Sequence, residues 1–231
     1  MQDIYNDQTY LHNNPSWGEE DAHLKVGSIT KLLKRNNISF NIALEAGCGS
    51  GEILVQLEKK FPDAERFYGY DISRDALSIA SKKQTEKIRF LAGDIKSVTI
   101  RADLLLIIDV IEHIPDYFSF LDDIRNKADY TIFHIPLDMS VWSLFRENML
   151  IESKQRVGHI HAFTEEFILD ALRDRGFDIM DKMYTTPTYT HHSLKQKITD
   201  GIRKIFFALN KKIASKTIGG YSIMVLTKNR A

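Results

Sequence analysis

The hydrophobic and polar positions of this chain follow two periods in turn. Seven short apolar runs, each of a length typical of a strand, lie at 41–46, 66–71, 88–92, 103–109, 129–135, 177–184 and 222–227. Between them, apolar residues recur every three or four positions, as on one face of a helix. The clearest helical segments are 19–34, 51–61 and 164–175. Strands that alternate with helices in this way favour a doubly wound α/β fold with a mostly parallel sheet.

A glycine-rich turn follows the first predicted strand and leads into the helix predicted at 51–61. Its glycines, Gly47, Gly49 and Gly51, let the backbone approach a bound nucleoside and place that ligand at a helix start. A dinucleotide site would have the spacing Gly-x-Gly-x-x-Gly, whereas the third glycine here is one position early. The acidic Glu45 precedes the turn and would repel a pyrophosphate but attract a cation. The turn therefore favours a positively charged nucleoside.

Acidic residues end or follow the next three predicted strands. Asp71 ends the second strand, where a carboxylate can accept hydrogen bonds from both ribose hydroxyls. Asp94 follows the third strand and could accept from the adenine amine, with Ile72 and Ile95 on either side of the base. Asp109 ends the fourth strand, at the sheet edge where open α/β folds bind ligands. Each aspartate alone could be a turn cap, but their common order along the chain predicts a nucleoside site.

The overall composition narrows the classes of protein that fit this chain. Its 231 residues include 31 lysines and arginines and 31 aspartates and glutamates, and this net charge of zero gives no support for nucleic-acid binding. The single cysteine, Cys48, excludes a disulfide framework. The first residues lack a signal-peptide pattern, and no apolar run approaches the ~18 residues of a membrane span. These features predict a cytoplasmic protein.

The segment at 191–217 has a different character from the rest of the chain. Between 191 and 216 it carries seven lysines and arginines against one acid, a net charge of +6. Its apolar residues recur at steps of three and four, which predicts a basic amphipathic helix. Such a helix suits peripheral contact with a membrane surface, and it equally suits a helix packed on the domain with a solvated basic face.

Five segments together resemble the class I S-adenosylmethionine-dependent methyltransferases. The turn at 45–51 is similar to the first motif of that family, and Asp71 matches its ribose-binding acid. The segment at 93–95 is similar to the adenine-binding step, 109–115 resembles the Asp-Val-x-Glu-His segment of one large subgroup, and 158–166 is similar to another segment of that subgroup. The resemblance implies S-adenosylmethionine as cofactor and a seven-stranded, mostly parallel sheet whose last strand is antiparallel.

The resemblance also implies direct transfer of the methyl group by in-line displacement. A hydroxyl acceptor would need its proton removed, and the candidates for this role are Glu112, His113 and His159. His113 lies close to Asp109 in sequence and is the best-placed base, although it could instead bond to local backbone. His159 and His161 alternate in one loop, so we expect one to point inward, His159 by preference. His191 and His192 lack the ligand spacing of a metal site, and no metal site is predicted.

The predicted domain organisation has two parts. Residues 1–35 form an arm and helix that act as a lid, with Tyr10 and Trp17 in the arm, and 36–231 form the cofactor-binding domain. An insertion at 136–163 lies on the acceptor side. The predicted function is O-methylation of a small-molecule, sugar or lipid-linked acceptor. The alternatives are a non-catalytic nucleoside-binding scaffold and a nicotinamide-dependent oxidoreductase.

Overall fold

A single seven-stranded sheet is the framework of the computed structural model, which describes residues 17–146, 148–186, 201 and 205–230. The strands are β1 (Ile42–Ala46), β2 (Arg66–Asp71), β3 (Ile88–Ala92), β4 (Ala102–Ile108), β5 (Ala128–Leu137), β6 (Phe177–Thr185) and β7 (Tyr221–Asn229). Their order is β3-β2-β1-β4-β5-β7-β6. Strands β1 to β5 pair in parallel, and β7 runs antiparallel to both of its neighbours. The predicted fold class is confirmed.

Helices connect the strands and cover both faces of the sheet. They are α1 (Glu19–Arg35), α2 (Glu52–Lys60), α3 (Arg74–Ala80), α4 (Tyr117–Ile124), α5 (Val141–Phe145), α6 (Met149–Val157), α7 (Glu165–Asp174) and α8 (Lys211–Thr217). Local sequence sets several of their ends. Ser73 and Thr164 cap α3 and α7 by accepting hydrogen bonds from backbone N–H groups three residues later. Gly176, in the left-handed region, follows the end of α7.

The hydrophobic core consists of two layers, one on each face of the sheet. Strand β4 shows the arrangement, because successive side chains of a strand point to opposite faces. Leu105 and Ile107 face the layer that contains α4 and α7. Leu104 and Leu106 face the layer that contains α1 and α2. All four side chains are fully buried, which explains why the sequence of β4 is continuously apolar.

Strand β5 extends two residues beyond its predicted end at 135 and includes Pro136. Pairing between β4 and β5 ends at His134, so beyond that residue β5 pairs with β7 alone among the described strands. A proline is tolerated there because one edge of the strand needs no amide donor.

The predicted basic helix at 191–217 is interrupted. Residues 205–209 are helical, but the backbone of Asn210 is extended, and its side chain accepts a hydrogen bond from the backbone N–H of Ile213. Asn210 therefore caps a new helix, α8, instead of continuing the preceding one. The parts at 191–200 and 202–204 lie outside the described residues.

The conformation of the turn before α2 can be tested by substituting Gly51, with Gly27 on α1 as a control. Gly51 has a φ of 77°, and a Cβ at this position would overlap the ring of Phe90. A side chain in the left-handed region costs about 1–2 kcal/mol before that overlap is counted. Gly51→Ala should therefore lower the free energy of unfolding by about 2 kcal/mol or more in urea titrations. Gly27→Ala, on the open side of α1, should raise it by about 0.5–1 kcal/mol. Equal effects would contradict this assignment.

Candidate active site

A cavity of about 440 Å³ opens at the carboxyl ends of β1, β2 and β4. Eight of the nine sequence-predicted cofactor residues line it: Glu45, Gly47, Gly49, Asp71, Ile72, Asp94, Ile95 and Asp109. The ninth, Gly51, lies at the start of α2 against Phe90. Parallel strands bring these residues together because their carboxyl ends meet at one edge of the sheet.

The glycine turn is fastened to the end of β2. The backbone N–H groups of Gly49 and Ser73 each donate to one carboxylate oxygen of Asp71, at 2.8 Å. The N–H groups of Gly47 and Cys48 donate to the carbonyl oxygen of Tyr70. Burial raises the pKa of Asp71, while the backbone donors oppose this rise. Each carboxylate oxygen keeps further acceptor capacity, because it has accepted only one of these hydrogen bonds.

Two cavity residues next to the predicted adenine position differ in exposure. Ile72 is 62% exposed and Ile95 is 4% exposed, and both line the cavity. Asp94 is exposed and accepts a hydrogen bond from the N–H of Lys96 at 3.0 Å, so it also caps the short turn at 95–97. Asp94 is therefore both a turn cap and a residue of the cavity lining.

Glu45 is a buried carboxylate at the floor of the cavity. Its side chain is 1% exposed, and Oε2 has no hydrogen-bond partner among the described residues. Burial is the main reason why the pKa of Glu45 lies well above its usual value. The negative charge of Asp71 raises this pKa further, and the positive charge of Lys25 opposes the rise. A ligand that brings positive charge or an N–H donor would satisfy this group.

Asp109 lies at the centre of a charged network. Its φ is 54°, and its two carboxylate oxygens contact Lys25 Nζ at 2.7 Å and His134 Nδ1 at 2.5 Å. His134 Nε2 bonds in turn to Thr185 Oγ1 at 2.8 Å, so this histidine is a buried, hydrogen-bonded residue of the sheet. Burial opposes ionisation of Asp109, but His134 and Lys25 outweigh it and hold the pKa of Asp109 well below its usual value.

Lys25 was not predicted from the sequence, although the pattern contained a signal. It lies three residues after Ala22 and four before Ile29, both of which are buried in the core. This spacing places Lys25 on the inward side of α1, where a lysine needs an acidic partner. Lys25 lines the cavity, and its ion pair with Asp109 connects α1 to the edge of the sheet.

A second polar cluster adjoins the cavity and consists of Glu112, His113 and His159. His113 donates from Nδ1 to the carbonyl oxygen of Gly158 at 3.0 Å, which leaves Nε2 as an acceptor. His159 contacts Asp138 through Nδ1 at 2.6 Å. The Nε2 atoms of both histidines lie 3.9 Å from the same oxygen of Glu112. The structure thus joins all three sequence-predicted catalytic residues.

Glu112 is fully buried, and neither of its carboxylate oxygens has a hydrogen-bond partner among the described residues. Burial, and then the negative charge of Asp109, keeps the pKa of Glu112 well above its usual value. Burial has the opposite effect on a histidine, whose charged form is the protonated one, and it lowers the pKa of His113 to about 4. The imidazole of His113 is therefore neutral near pH 7, and it lines the cavity.

The backbone of the histidine loop is fixed by Glu112. The N–H groups of Ile160 and His161 both donate to the carbonyl oxygen of Glu112, at 2.9 and 3.2 Å. His161 points away from the cluster, because its Nε2 donates to the carbonyl oxygen of Ile114 and its ring packs against Tyr117. The two alternating histidines of this loop therefore have different surroundings.

Of the aromatic residues in the predicted arm, Trp17 is the one that the structure describes. It lines the cavity, and its ring lies 3.8 Å from the position that a Cβ of Gly49 would occupy. Tyr10 lies outside the described residues.

The sequence as a whole identifies the family. Residues 17–182, more than half of the chain, match the family described as the Methyltransferase domain, and the chain belongs to this family. The resemblance to class I S-adenosylmethionine-dependent methyltransferase domains is thereby confirmed, and the family match argues against the oxidoreductase alternative.

Two named proteins are similar to part of the chain. A segment of 74 residues is 35% identical to trans-aconitate 2-methyltransferase of Deinococcus radiodurans and covers 32% of this chain and 28% of that protein. A segment of 88 residues is 33% identical to malonyl-[acyl-carrier protein] O-methyltransferase of Priestia megaterium and covers 38% of this chain and 31% of that protein. The chain thus matches about three tenths of the length of each relative.

Solved structures share the fold over almost the whole chain. The protein complexed with the Trm112 methyltransferase activator of Haloferax volcanii superposes with a TM-score of 0.71 at 14% identity, covering 100% of both chains. Magnesium protoporphyrin IX methyltransferase from Synechocystis, with bound S-adenosylhomocysteine, superposes with a TM-score of 0.61 at 17% identity, covering 90% of this chain and 84% of the other. At these identities the likeness concerns the fold alone.

The buried carboxylate of Glu45 gives a pH-dependent test. Its folded-state pKa lies above the usual value of 4.5, so the folded protein binds the proton more tightly than the unfolded chain. Stability contributed by this group therefore falls as pH rises from about 4.5 through the folded-state pKa. Glu45→Gln should be more stable than wild type by a margin that grows over this interval, measured by urea unfolding at several pH values. Glu86→Gln, at an exposed position, is the matched control. A margin independent of pH would contradict the expectation.

Proposed function

We propose that this enzyme transfers the methyl group of S-adenosylmethionine to an oxygen atom of a small-molecule acceptor. The observation that carries the proposal is one cavity lined both by the acidic residues Glu45, Asp71, Asp94 and Asp109 and by His113. The names of two partial relatives support acceptors of this size and kind: one acts on trans-aconitate, and the other is an O-methyltransferase of malonyl-[acyl-carrier protein].

The cofactor would occupy the acidic end of the cavity. Asp71 would accept from the ribose hydroxyls with the acceptor capacity that Gly49 and Ser73 leave free. Asp94 would accept from the adenine amine, with the base between Ile72 and Ile95. Glu45 would face the positively charged part of the ligand, which would relieve the penalty of its buried, incompletely bonded carboxylate.

The acceptor would bind beside the cluster of Glu112, His113 and His159. Methyl transfer is an in-line displacement in which the acceptor oxygen forms a bond to the methyl carbon while the carbon–sulfur bond breaks. Alignment of the two reactants supplies much of the rate. A hydroxyl acceptor also loses a proton, and the cluster presents ring nitrogens and a carboxylate that can assist this loss. The lining of the cavity by His113 supports this arrangement.

A lipid-linked acceptor is favoured by an exposed apolar face on neighbouring helical segments. We define this apolar face by Val141, Trp142, Leu144, Phe145, Ile205, Phe206, Leu209 and Ile213. Helix α8, which begins after Asn210, contacts α5. Phe145 and Leu209 are 82% and 79% exposed, which is unusual for grouped side chains of this size.

An anionic bilayer surface is the occupant that fits this face best. The segment at 191–216 carries a net charge of +6, and Trp142 on α5 is a residue type that prefers the membrane–water boundary. Lys212 and Lys216 contact Glu166, which holds α8 against α7 with the apolar side chains still exposed. Within the described part of the chain, no helix is long and apolar enough to cross a membrane. We therefore propose contact with the surface only.

Cofactor binding can be tested at Asp71. Asp71→Asn replaces one of two charged acceptor atoms by an amide nitrogen, and hydrogen bonds to charged groups contribute about 1.5–3 kcal/mol. Calorimetry with S-adenosylmethionine should show affinity weakened by about 10-fold to 100-fold. Asp129→Asn is the control, because Asp129 lies at the amino end of β5, whereas the cavity opens at the carboxyl ends of the strands; this variant should bind like wild type. Equal affinity of all three proteins would contradict the assignment of Asp71.

Membrane contact can be tested by sedimentation with vesicles that contain anionic lipid. The wild-type chain should sediment with them at low salt and less at high salt, because ionic screening weakens the attraction of the basic segment. Leu209→Asp should reduce binding, because it places a charge on the apolar face. Leu24→Asp, at an exposed position on α1, should not. Wild-type protein that stays in the supernatant at low salt would contradict the proposal.

A further inference from the structure

We propose that Glu112, His113 and His159 bind a divalent transition-metal ion beside the cavity. The three side chains offer one carboxylate oxygen and two imidazole nitrogens, and these atoms all lie within 4.8 Å of one another. Two imidazoles and one carboxylate form a donor set that suits Zn²⁺, Mn²⁺ or Fe²⁺ in catalytic sites with open coordination positions.

The two histidines are already oriented as metal ligands are. In metal sites, the ring nitrogen that does not bind the ion is usually held by a carboxylate or a backbone carbonyl. His113 uses Nδ1 for the carbonyl oxygen of Gly158, and His159 uses Nδ1 for the carboxylate of Asp138. Both therefore direct Nε2 towards the same oxygen of Glu112.

The buried carboxylate of Glu112 is the independent observation that points to a ligand. Both of its oxygens lack a hydrogen-bond partner among the described residues, and the two nearest ring nitrogens, at 3.9 Å, are beyond hydrogen-bonding distance. A buried carboxylate without a partner is strongly unfavourable. A cation bound between the carboxylate and the two rings would give the carboxylate of Glu112 a partner.

Two of the three spacings between the donor atoms require only a small contraction, and the third, between the two ring nitrogens, is within 4.8 Å. Ligands placed about 2.1 Å from an ion at a tetrahedral site lie roughly 3.4 Å apart. The distances of 3.9 Å from Glu112 Oε1 to each Nε2 are about half an ångström longer than this. Rotation of the carboxylate about its soft terminal torsion can close such a difference.

The position of the ion deepens the proposed function, and this part of the inference rests on that function. His113 lines the cavity, so the open coordination positions would face the acceptor. An acceptor with two neighbouring oxygens, such as a vicinal diol or a hydroxy acid, would chelate the ion through both. Coordination lowers the pKa of a hydroxyl group. Its proton would pass to water, its oxygen would bond to the methyl carbon, and neutral S-adenosylhomocysteine would leave.

Metal binding can be measured on the full chain without cofactor or acceptor. Metal-stripped protein is titrated with Co²⁺, whose visible absorption reports coordination, and Zn²⁺ is then added in competition. We expect one ion per chain, with Zn²⁺ displacing Co²⁺. Glu112→Gln and His159→Gln should each weaken binding by at least 100-fold, and Asp138→Asn by about 10-fold to 100-fold through His159. His161→Gln, in the same loop but directed away from the cluster, should bind like wild type.

The outcomes separate this inference from the proposed function. Wild-type protein that binds no Co²⁺ at 100-fold excess, or a His161→Gln variant that loses binding as severely as His159→Gln, would overturn the metal site. S-adenosylmethionine binding, measured by calorimetry on the same preparations, tests the cofactor site of the proposed function independently. If Glu112→Gln does not fold, Asp138→Asn and His159→Gln decide the question, since circular dichroism identifies the variants that retain the native fold.

Discussion

The carboxylate of Asp71 is the constraint on which the geometry of the cavity depends. It receives N–H donors from Gly49 and Ser73, and so it fixes the glycine turn and the start of α3 with one group. The strand register fixes the position of Glu45 relative to Asp71, because Glu45 pairs with Gly69, which lies two residues before Asp71 on the adjacent strand. Since β2 lies between β1 and β3, a shift of Asp71 would disturb the turn on one side and the approach to Asp94 on the other.

Charge is distributed unevenly around this edge of the sheet. Asp109 has Lys25 and His134 as partners and stays ionised. Glu45 and Glu112 are more deeply buried than Asp109, and their carboxylates are incompletely bonded among the described residues. The ligand-free protein therefore holds two carboxyl groups in surroundings that favour their neutral forms. Groups that are placed to bind a ligand commonly destabilise a protein that lacks it, which is a known trade-off between stability and activity.

The sequence predicts what depends on local pattern and misses what depends on distant contacts. The strands and the glycine turn follow from apolar periodicity and residue type, and their predicted positions agree with the structure to within two residues at most boundaries. The cluster of Glu112 and His159 could not be recognised as a possible metal site, because a long connection separates the two residues. The predicted basic helix failed at Asn210, since its apolar period continues through a residue whose side chain caps a new helix. Lys25 was missed because its partner, Asp109, lies on another element.

The position of β7 has a consequence for how the chain folds as it is made. Strand β6 pairs with β7 and with no other described strand, while β7 itself lies between β5 and β6. Strands β1 to β5, which carry most of the cavity, need no later residue for their mutual pairing. A ribosome synthesises the chain from its N-terminus, and completed units can fold before synthesis ends. The sheet edge that carries the cavity can therefore assemble early, whereas β6 stays unpaired until residues 221–229 emerge.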